Sequence, residues 1–468
     1  MILPEDLQTV LRAVRVVGRP RLVGGCVRDW LLGLACKDFD VEVSGVSFDQ
    51  LHRVLAPFGS TDVVGRSFGV IKLRTASGAD YDFSLPRRES KTGAGHRGFA
   101  VEPDPNLSDA DAAARRDFTL NAIAWDPFEE KLIDPLGGET DLRAGRLRHA
   151  SAAFVEDPLR VLRAMQLAAR FQFTLAPKTA ALCASIVASY PELPVERVWG
   201  EWDKWATQST KPSLGLNVLV ETGWIVHFPE IAALQNCPQE PEWHPEGDAF
   251  VHTQHCCDAL CRMDSWKASP PDRRRILLLA VLAHDFGKPG TTVRELKRNV
   301  MRWTSPGHEA AGEPLAVSFL QRIGAPSLIV GHVVPLVVNH MVHHRGPKSV
   351  FGDTQVRRLA QRITPATIDD LALVMLADSF GRPPLYSPET INLIEKLKSK
   401  SRALEIASQA PRPILLGRHL IELGEKPGPA FRKTLDAAFE AQLDGVFTHE
   451  AGAMAWARNH LRPRRSTD

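Results

Sequence analysis

The sequence predicts an α+β protein in which a small mixed region of strands and helices precedes a long helical region. Short β-type runs, separated by glycine turns and helical stretches, fall between Arg21 and Asp134. From Phe154 onward, apolar residues recur at three- and four-residue steps, and prolines stand near several helix starts. The 468 residues are enough for roughly two or three domains. We therefore expect one mixed domain followed by helical ones.

The composition excludes several classes of protein. Hydrophobic residues make up 44% of the chain and charged residues 24%, which is ordinary for a globular protein. No apolar run approaches the roughly 20 residues that cross a bilayer, and the N-terminal stretch lacks the pattern of a secretion signal. We therefore expect no membrane segment. The seven scattered cysteines indicate a reduced, cytoplasmic protein. The net charge of +2 means that contacts with nucleic-acid phosphates would come from local patches.

The mixed region holds a candidate phosphate site. Val23 ends a β-type run, and Gly24-Gly25 then leads into a helix that carries Arg28. Glycines at this point would let backbone amides approach a phosphate, and Arg28 would add a charged donor. Two glycines before a helix can equally form a simple tight turn.

Carboxylates on neighbouring β-type runs form a candidate metal site. Period-two alternation points Asp38 and Asp40 to the same side of one strand. Their repulsion would be relieved by Mg²⁺, which binds a few carboxylates together with phosphate oxygens. Asp82 is the candidate third catalytic carboxylate, with Asp80 as the competing choice. An ordinary solvated strand face is the alternative reading of the first pair.

Charged residues cluster again at two later helix starts. The run RRDFTLNA, which contains Arg116, follows a Gly-, Pro- and charge-rich stretch from Arg87 to Ala110 that predicts a long mobile loop. Farther on, Asp157, Arg160 and Arg163 lie three residues apart, so they would project over one arc of a helix. A salt-bridged helix end would explain this second cluster nearly as well.

The helical region contains a constellation of histidines and aspartates. His252 opens one helix, His284-Asp285 closes an apolar one, and Asp378 lies in a later helical run. Imidazole and carboxylate groups that are distant in sequence can converge on one cation. Two further histidines are available for a second metal ion or a substrate phosphate: His308 and His340. A single histidine at a helix end is more often a cap or a core residue, so the prediction depends on the whole set.

Six motifs occur in order over roughly the first 205 residues: GGCVRD, LLGLACKDFDVEV, RRDFTLNA, IDPLGG, EDPLRVLRA and ERVWGE. In this order and spacing they resemble the class II tRNA nucleotidyltransferase and bacterial poly(A) polymerase family. The resemblance implies a polymerase-β-like nucleotidyltransferase palm followed by an all-α neck, body and tail.

The resemblance also implies roles for individual residues. Asp38 and Asp40 would hold Mg²⁺, and Asp157 and Arg160 would read the incoming base. The implied nucleotide-binding set is Gly25, Arg28, Arg116, Asp157, Arg160 and Arg163. Cytosine and adenine both offer an exocyclic amino donor beside a ring-nitrogen acceptor, which an aspartate acceptor and an arginine donor can match. Guanine and uracil reverse this pattern, so such a pair could select C and A without a template.

Residues 249–380 resemble the HD superfamily of metal-dependent phosphohydrolases through His284-Asp285. This resemblance implies an all-α HD domain with a divalent metal of unspecified identity, held by His252, His284, Asp285 and Asp378. His255, one helical turn from His252, is the rival for the first position. In some bacterial CCA-adding enzymes such a domain has phosphodiesterase and phosphatase activity on 2′,3′-cyclic or terminal phosphates, whereas other relatives use the fold to bind RNA.

The predicted domains are a head at residues 1–148, a helical neck and body at 149–240, an HD domain at 245–385 and a C-terminal helical region at 386–468. The leading interpretation is template-independent addition of C, C and A to the 3′ end of tRNA, or of another RNA, from CTP and ATP. The HD set adds hydrolysis of phosphates at RNA ends. The alternatives are a poly(A) polymerase, an enzyme that adds only CC or only A, chiefly an HD phosphohydrolase, or a non-catalytic RNA-binding module. The sequence carries no signal of oligomeric state.

Overall fold

The structure, a computed structural model, describes residues 1–36, 38–64, 69–91, 99–297, 299–344, 351–384 and 387–461. The chain divides into two compact units, Met1–His227 and Phe228–Asp468. Both units bury many large apolar side chains, as separately folded regions do. The predicted α+β class is confirmed, whereas the finer division into four domains stays a prediction.

The first unit begins with strands and helices in the region where short β-type runs predict them. These elements are α1 (Glu5–Arg15), β1 (Arg19–Val23), α2 (Gly25–Leu31), β2 (Asp40–Ser44), α3 (Phe48–Leu55), β3 (Gly59–Val64), β4 (Val70–Thr75) and β5 (Asp80–Ser84). Buried positions alternate with more open ones along β2, β4 and β5. Such alternation is expected where one face of a sheet packs on a core. Helix α1 lies against α3 and β1 and buries Leu7, Leu11 and Val14.

The segment that predicts a long loop contains a β-ribbon. Strands β6 (Arg87–Lys91) and β7 (Phe99–Pro103) pair antiparallel, and α4 (Asp109–Ala114) follows them. The prediction of a loop from Arg87 to Ala110 was wrong for these parts, and its residues 92–98 lie outside the described residues. A two-stranded ribbon satisfies its backbone groups by strand pairing and needs no apolar period, so the sequence pattern does not reveal it.

A mixed sheet forms the body of the first unit. Two short strands, β8 (Ala124–Asp126) and β9 (Lys131–Ile133), complete it, and over the described residues its order is β3-β4-β5-β2-β1-β8-β9. Strands β2 and β5 pair in parallel, which sets Asp40 opposite Asp82. The register therefore brings together two carboxylates that are distant in sequence.

A group of helices completes the first unit. The remaining elements are α5 (Gly138–Arg143), β10 (Arg146–Leu147), α6 (Leu159–Phe171), β11 (Thr174–Leu175), α7 (Pro177–Ser185), α8 (Val195–Gln208) and α9 (Pro212–Glu221). Helix α6 lies against both α8 and α9, and its apolar residues, including Leu159 and Leu162, are buried. A Cβ at Gly215 of α9 would lie 2.6 Å from the carbonyl oxygen of Met165, so a side chain there would force α9 away from α6.

The second unit is helical apart from a ribbon within its described residues. Its elements are α10 (Pro229–Ala232), α11 (Ala249–Arg262), α12 (Asp264–Lys267), α13 (Pro271–Ala283), α14 (Lys288–Thr291), β12 (Val293–Lys297), β13 (Val300–Thr304), α15 (His308–Arg322), α16 (Ser327–Asn339), α17 (Asp353–Arg362), α18 (Ile368–Phe380), α19 (Pro388–Ala403), α20 (Gly417–Glu422), α21 (Pro429–Leu443) and α22 (Glu450–Leu461). Helices α11, α13 and α18 pack on one another, and α13 also lies against α16. The end of α13 is buried on every side, from Leu277 to Ala283, which marks it as a central helix.

The last helices have an apolar cluster of their own. Its buried members are Leu415, Leu420, Ala438, Phe447, Ala453 and Ala457. Over the described residues, no helix of the chain combines the length and apolar character that a membrane crossing requires.

Candidate active sites

A cavity of about 540 Å³ in the first unit gathers most of the residues that the sequence predicts for nucleotide binding. The predicted residues that line it are Gly25, Arg28, Asp40, Arg116, Asp157, Arg160 and Arg163. Among the described residues, nine arginines and lysines line this cavity against four carboxylates. The whole chain has a net charge of only +2, so positive charge is concentrated here.

Glycine at position 24 keeps one wall of the cavity open. Gly24 has a φ of 76°, and a Cβ there would lie 3.3 Å from Arg116 Nη1 and 3.4 Å from Asp40 Oδ2. A side chain would therefore be strained and would crowd a guanidinium and a carboxylate at once. Gly25 is the first residue of α2, and a Cβ there would lie 3.5 Å from Arg28 Nη2.

A buried chain of hydrogen bonds joins α2 to α6. Arg28 donates from Nη1 to Asn121 Oδ1 at 2.7 Å, and Asn121 donates from Nδ2 to Asp117 Oδ1 at 3.0 Å. Arg163 donates from Nε to Asp117 Oδ2 at 2.7 Å. Burial alone would raise the pKa of Asp117, but Arg163, Asn121 and the Phe118 amide lower it to about 2. Arg163 is thus anchored by Asp117 at the edge of the cavity.

The acid and the amide of this chain were seen in the run RRDFTLNA but were not predicted as site residues. Asp117 and Asn121 are 7% and 4% exposed, so their importance lies in holding two arginines in place. The sequence shows that these groups are close together, but it does not show which of them are buried.

The predicted catalytic carboxylates lie around the start of β2. Asp38 and Asp40 are exposed, and Phe39 between them is buried, which agrees with alternation along an extended chain. Strand β2 begins at Asp40, so Asp38 precedes the strand, and it lines a separate cavity of about 910 Å³ instead of the 540 Å³ one. Asp82, opposite Asp40, has its Oδ2 atom 3.9 Å from Lys72 Nζ.

The crowding of carboxylates around Asp40 fits a divalent cation. Desolvation raises the pKa of Asp40, and Asp82 and Asp38 raise it further against the opposing effect of Arg116. A cation between these groups would stabilise their ionised forms, and hard carboxylate oxygens suit Mg²⁺.

The rival third carboxylate lies apart from this group. The Asp80 Oδ1 atom is 3.8 Å from Arg74 Nε, and both side chains are about 70% exposed. The register of the sheet sets Asp82, and not Asp80, opposite Asp40. Glu42, which the sequence reasoning missed, lies two residues after Asp40, lines the cavity and accepts a hydrogen bond from Arg116 at 3.5 Å. Period-two alternation along β2 could have identified it.

Asp157 lies just before α6 instead of on it. Its Oδ1 atom accepts from the Leu159 amide at 3.2 Å, and its Oδ2 atom accepts from Arg197 Nη2 at 2.9 Å. Arg197 belongs to α8 and also lines the cavity. The sequence reasoning noted the motif ERVWGE but not that its arginine holds Asp157 in position.

Arg160 is oriented by the backbone. Its Nη1 atom donates to the carbonyl oxygen of Ala153 at 2.9 Å, and its Nη2 atom donates to that of Arg115 at 2.8 Å. A guanidinium has five N–H groups, so donors remain for a ligand in the cavity. The carboxylate of Asp157 and the guanidinium of Arg160 are therefore both preorganised.

In the second unit, the four predicted HD ligands meet where α11, α13 and α18 pack together. His252 Nε2 is 3.1 Å from Asp378 Oδ1 and 3.8 Å from Asp285 Oδ2, and His284 Nε2 is 3.1 Å from Asp285 Oδ2. All four residues are buried. The rival His255 is half-buried and belongs to none of the potential ligand groups among the described residues.

The imidazoles near this cluster are prepared to act as ligands through Nε2. Three of them donate from Nδ1 to the carbonyl oxygen three residues earlier: His284 to Val281 at 2.6 Å, His308 to Ser305 at 2.8 Å and His340 to Val337 at 2.7 Å. Because a carbonyl oxygen only accepts, Nδ1 carries the hydrogen and the neutral ring has its lone pair at Nε2. Burial lowers the pKa of His340 to about 3, which favours the neutral ring, whereas burial of His284 is outweighed by the Asp285 carboxylate, which raises the pKa of His284.

Several atoms of this cluster fit a metal ion. His284 Nε2 is buried without a hydrogen-bond partner, and the buried Asp285 Oδ2 atom forms an ion pair with Lys288 Nζ at 2.7 Å. The Nε2 atoms of His308 and His340 lie 3.2 Å apart, so two lone pairs would face each other if no cation or proton lay between them. Nitrogen and carboxylate donors of this kind suit a divalent transition metal.

Asp285 connects two groups of potential ligands. Its Oδ2 atom faces His252 and His284, and its Oδ1 atom is 3.4 Å from His308 Nε2. Burial alone would raise the pKa of Asp285, but His284, Lys288 and His308 hold it well below its usual range. The carboxylate is therefore ionised and available to cations on both sides.

Glu246 orients the first histidine and was missed by the sequence reasoning. His252 Nδ1 lies 2.7 Å from Glu246 Oε1, and this buried carboxylate also lies 2.9 Å from His244 Nδ1. A carboxylate behind a ligating imidazole fixes the ring and leaves Nε2 to face the metal. Glu246 lies in a turn before α11, where no helical or strand period could have pointed to it.

A second cavity, of about 270 Å³, lies beside the HD cluster, which consists of the four predicted HD ligands His252, His284, Asp285 and Asp378. Its lining combines aromatic and basic side chains with the cluster itself, and includes Trp243, Trp303, Lys288, Lys297 and Arg382. Trp243 is 44% exposed, and the guanidinium of Arg302 lies 5.1 Å from its ring centroid. Such a lining suits a base and a phosphate together.

Comparisons with known proteins agree with this fold. Residues 20–148 match the family described as the Poly A polymerase head domain, which gives the class of the first unit. The chain is 38% identical over 371 residues to a multifunctional CCA protein of Xanthomonas campestris pv. campestris (strain B100), covering 77% of this chain and 85% of that relative. A multifunctional CCA protein of Cupriavidus metallidurans is 35% identical over 373 residues, covering 77% and 84%. The chain belongs to the class II CCA-adding family.

Solved structures show the same fold at lower sequence identity. The CCA-adding enzyme of Bacillus stearothermophilus in complex with CTP aligns with a TM-score of 0.66 and 21% identity, covering 98% of each chain. The Thermotoga maritima CCA-adding enzyme complexed with tRNA aligns with a TM-score of 0.58 and 19% identity, covering 98% of this chain and 96% of that one.

Proposed function

We propose that this chain adds C, C and A to the 3′ end of tRNA, using CTP and ATP. The observation that carries the proposal is one cavity that joins Asp40 to the preorganised pair of Asp157 and Arg160. A nucleotide bound there would have its phosphates near a carboxylate group and its base near an acceptor and a donor. The CCA proteins among the relatives, and the CTP and tRNA bound by similar solved structures, support the same reaction.

The proposed chemistry needs few groups from the protein. Asp40 and Asp82, with Asp38 beside them, would hold Mg²⁺, which lowers the cost of charge on the attacking 3′-oxygen and the departing pyrophosphate. Arg28 and Arg116 would neutralise charge on the triphosphate. Arg28 is held firmly because its donors also bind Asp29 and Asn121, and two of its five N–H groups remain for the ligand.

Base selection follows from the arrangement around Asp157. Each carboxylate oxygen has lone pairs beyond those used by Arg197 and the Leu159 amide, so it can accept from the exocyclic amino group of cytosine or adenine. Arg160 would donate to the neighbouring ring nitrogen. Guanine and uracil present a donor where this arginine donates, and two donors repel.

The proposal is tested by incorporation of each labelled nucleotide into tRNA transcripts that end before CCA, after the first C and after CC. The purified full-length protein with Mg²⁺ is expected to complete each transcript and then stop. Unlimited addition of A would indicate a poly(A) polymerase, and failure at one step only would indicate a CC-adding or an A-adding enzyme. No incorporation by folded protein would contradict nucleotidyl transfer and favour a phosphohydrolase.

A second activity, hydrolysis of phosphates at RNA ends, is favoured by the HD cluster. We infer a divalent metal centre of His252, His284, Asp285 and Asp378, within the predicted HD domain at residues 245–385. The buried His284 Nε2 atom, which has no hydrogen-bond partner, supports it. The terminal nucleoside would stack in the cavity that Trp243 and Trp303 line, with its phosphate near basic side chains.

Asp285→Asn is expected to lower the hydrolysis of 2′,3′-cyclic AMP by at least about a thousandfold, since an ion-binding carboxylate contributes several kcal/mol. Addition of CCA to tRNA should be retained, because the nucleotide cavity belongs to the first unit. Asp272→Asn is the matched control, since this side chain on the same stretch of chain is 88% exposed. Metal-dependent hydrolysis at the wild-type rate by Asp285→Asn would contradict the proposed centre.

A further inference from the structure

Beside the HD cluster lies a sulfur atom that the predicted ligand set does not include. Cys256 lies one turn after His252 on α11, so the two side chains share a face of the helix. Its Sγ atom is 3.3 Å from His252 Nε2. The potential ligand atoms of Cys256, His252, His284 and Asp378 all lie within 4.8 Å of one another.

The sulfur is enclosed on the side away from the imidazole. Cys256 is fully buried, and its Sγ atom lies 3.8 Å from the carbonyl oxygen of Asp378. A Cβ added to Gly381, just after α18, would lie 2.2 Å from this sulfur. The glycine therefore provides the space that the sulfur fills, and any bulk at that position would displace it.

Two neighbouring cysteines are buried as well but do not lie near the potential metal ligands, so burial alone does not explain the position of Cys256. Cys257 and Cys261 lie on the same helix and are also buried. Neither belongs to a potential ligand group in the described part of the chain. Cys256 thus differs from them by its neighbours, which include His284 Nε2, a buried atom without a hydrogen-bond partner.

We propose that Cys256 is a further ligand of the metal centre, binding as a thiolate beside His252, His284 and Asp378. The proposal rests on the inferred HD centre. The thiol loses its proton to solvent when it binds a metal, as cysteine ligands do. A soft sulfur ligand favours Zn²⁺, Co²⁺ and Cd²⁺ over Mg²⁺, which takes oxygen ligands. The centre would then differ from the nucleotidyltransferase site in the metal that it selects.

The test is a titration of the metal-free, full-length protein with Co²⁺, followed by absorption spectroscopy. The wild type is expected to show the near-ultraviolet band of thiolate-to-cobalt charge transfer together with the visible bands of bound cobalt. Cys256→Ser should lose the ultraviolet band and keep the visible ones, whereas Cys257→Ser should keep both. Binding of Cd²⁺ should weaken at least about tenfold in Cys256→Ser, since even groups that only support ligands contribute that much.

Two outcomes would overturn the inference, and they are distinguishable. A Cys256→Ser protein that keeps the ultraviolet band and its Cd²⁺ affinity would show that the sulfur is not a ligand, while the metal centre itself would stand. A wild-type protein that binds no cobalt would refute the centre, and the sulfur ligand with it. Circular dichroism of Cys256→Ser, and of Cys256→Ala, which removes the sulfur without adding a polar hydroxyl, shows whether a lost band reflects lost folding.

Discussion

Replacing Asp40 by asparagine is expected to slow nucleotide addition by at least roughly a thousandfold. An ion-binding carboxylate at the reacting phosphate contributes about 4 kcal/mol or more to transition-state stabilisation, and each 1.36 kcal/mol is about tenfold in rate. Asp40 lies opposite Asp82 in the sheet and, unlike Asp82 and Asp38, lines the nucleotide cavity. The measurement is single-turnover incorporation of labelled CTP into a tRNA transcript that lacks CCA.

The same substitution should leave the fold intact or stabilise it. The folded environment raises the pKa of Asp40, so its ionised form opposes folding above the folded-state pKa, and this penalty disappears below the unfolded value of about 3.9. The free energy of unfolding of Asp40→Asn at neutral pH, without added metal, should therefore equal or exceed that of the wild type. Urea unfolding at neutral and acid pH measures both parts of this expectation.

Asp82→Asn and Asp80→Asn form the matched pair of controls for the carboxylate group. Both residues lie on β5, but only Asp82 faces Asp40, whereas Asp80 is exposed beside Arg74. We expect Asp82→Asn to lose most activity and Asp80→Asn to keep it. Unreduced incorporation by a folded Asp40→Asn protein would refute the metal role of Asp40. Loss of activity in Asp80→Asn but not in Asp82→Asn would make Asp80 the third catalytic carboxylate.

Replacing Asp157 by alanine is expected to reduce discrimination against GTP and UTP by roughly a hundredfold. Hydrogen bonds to a charged group contribute up to about 3 kcal/mol, which corresponds to that factor. The fall in kcat/KM should affect CTP and ATP, because their exocyclic amino groups would lose a hydrogen-bond acceptor. Arg197 would lose its 2.9 Å partner as well and would be free to turn towards the base.

The measurement is kcat/KM for all four nucleoside triphosphates on two transcripts, one that ends before CCA, which tests CTP, and one that ends in CC, which tests ATP. Glu156→Gln is the matched control, because this adjacent carboxylate does not line the cavity. Arg197→Met should produce a smaller loss, since Asp157 would keep its hydrogen bond to the Leu159 amide. Unchanged discrimination by Asp157→Ala would mean that another group reads the base.

The parts of the fold that follow from local periodicity could be predicted from the sequence. The alternation of β2 and the apolar spacing of α6 correspond to elements of the structure. The approach of Asp82 to Asp40 could be suspected from their strands, but the parallel register that sets them opposite is a tertiary fact. The ribbon of β6 and β7 escaped prediction because strand pairing, not apolar spacing, holds it together.

The parts of the sites that follow from burial could not be predicted. Asp117 and Arg197 act on other site residues across distances of tens of positions in sequence, and no short motif encodes such a contact. Glu246 holds its histidine from a turn. In the sequence, Cys256 is only a small residue within a helix. Its place beside the histidines depends on the space that Gly381, just after another helix, leaves for the sulfur.

The excess of arginines and lysines around the nucleotide cavity has a consequence for how the protein behaves as a polyelectrolyte. The lining has nine cations and four carboxylates, and this excess of positive charge is larger than the net charge of +2 of the whole chain. The rest of the chain is therefore net negative. A small, highly charged anion such as a nucleoside triphosphate is therefore attracted to this cavity more strongly than the net charge of the chain would suggest. Mobile counter-ions weaken this attraction, because at physiological ionic strength they screen charges that are separated by more than a Debye length of about 8 Å.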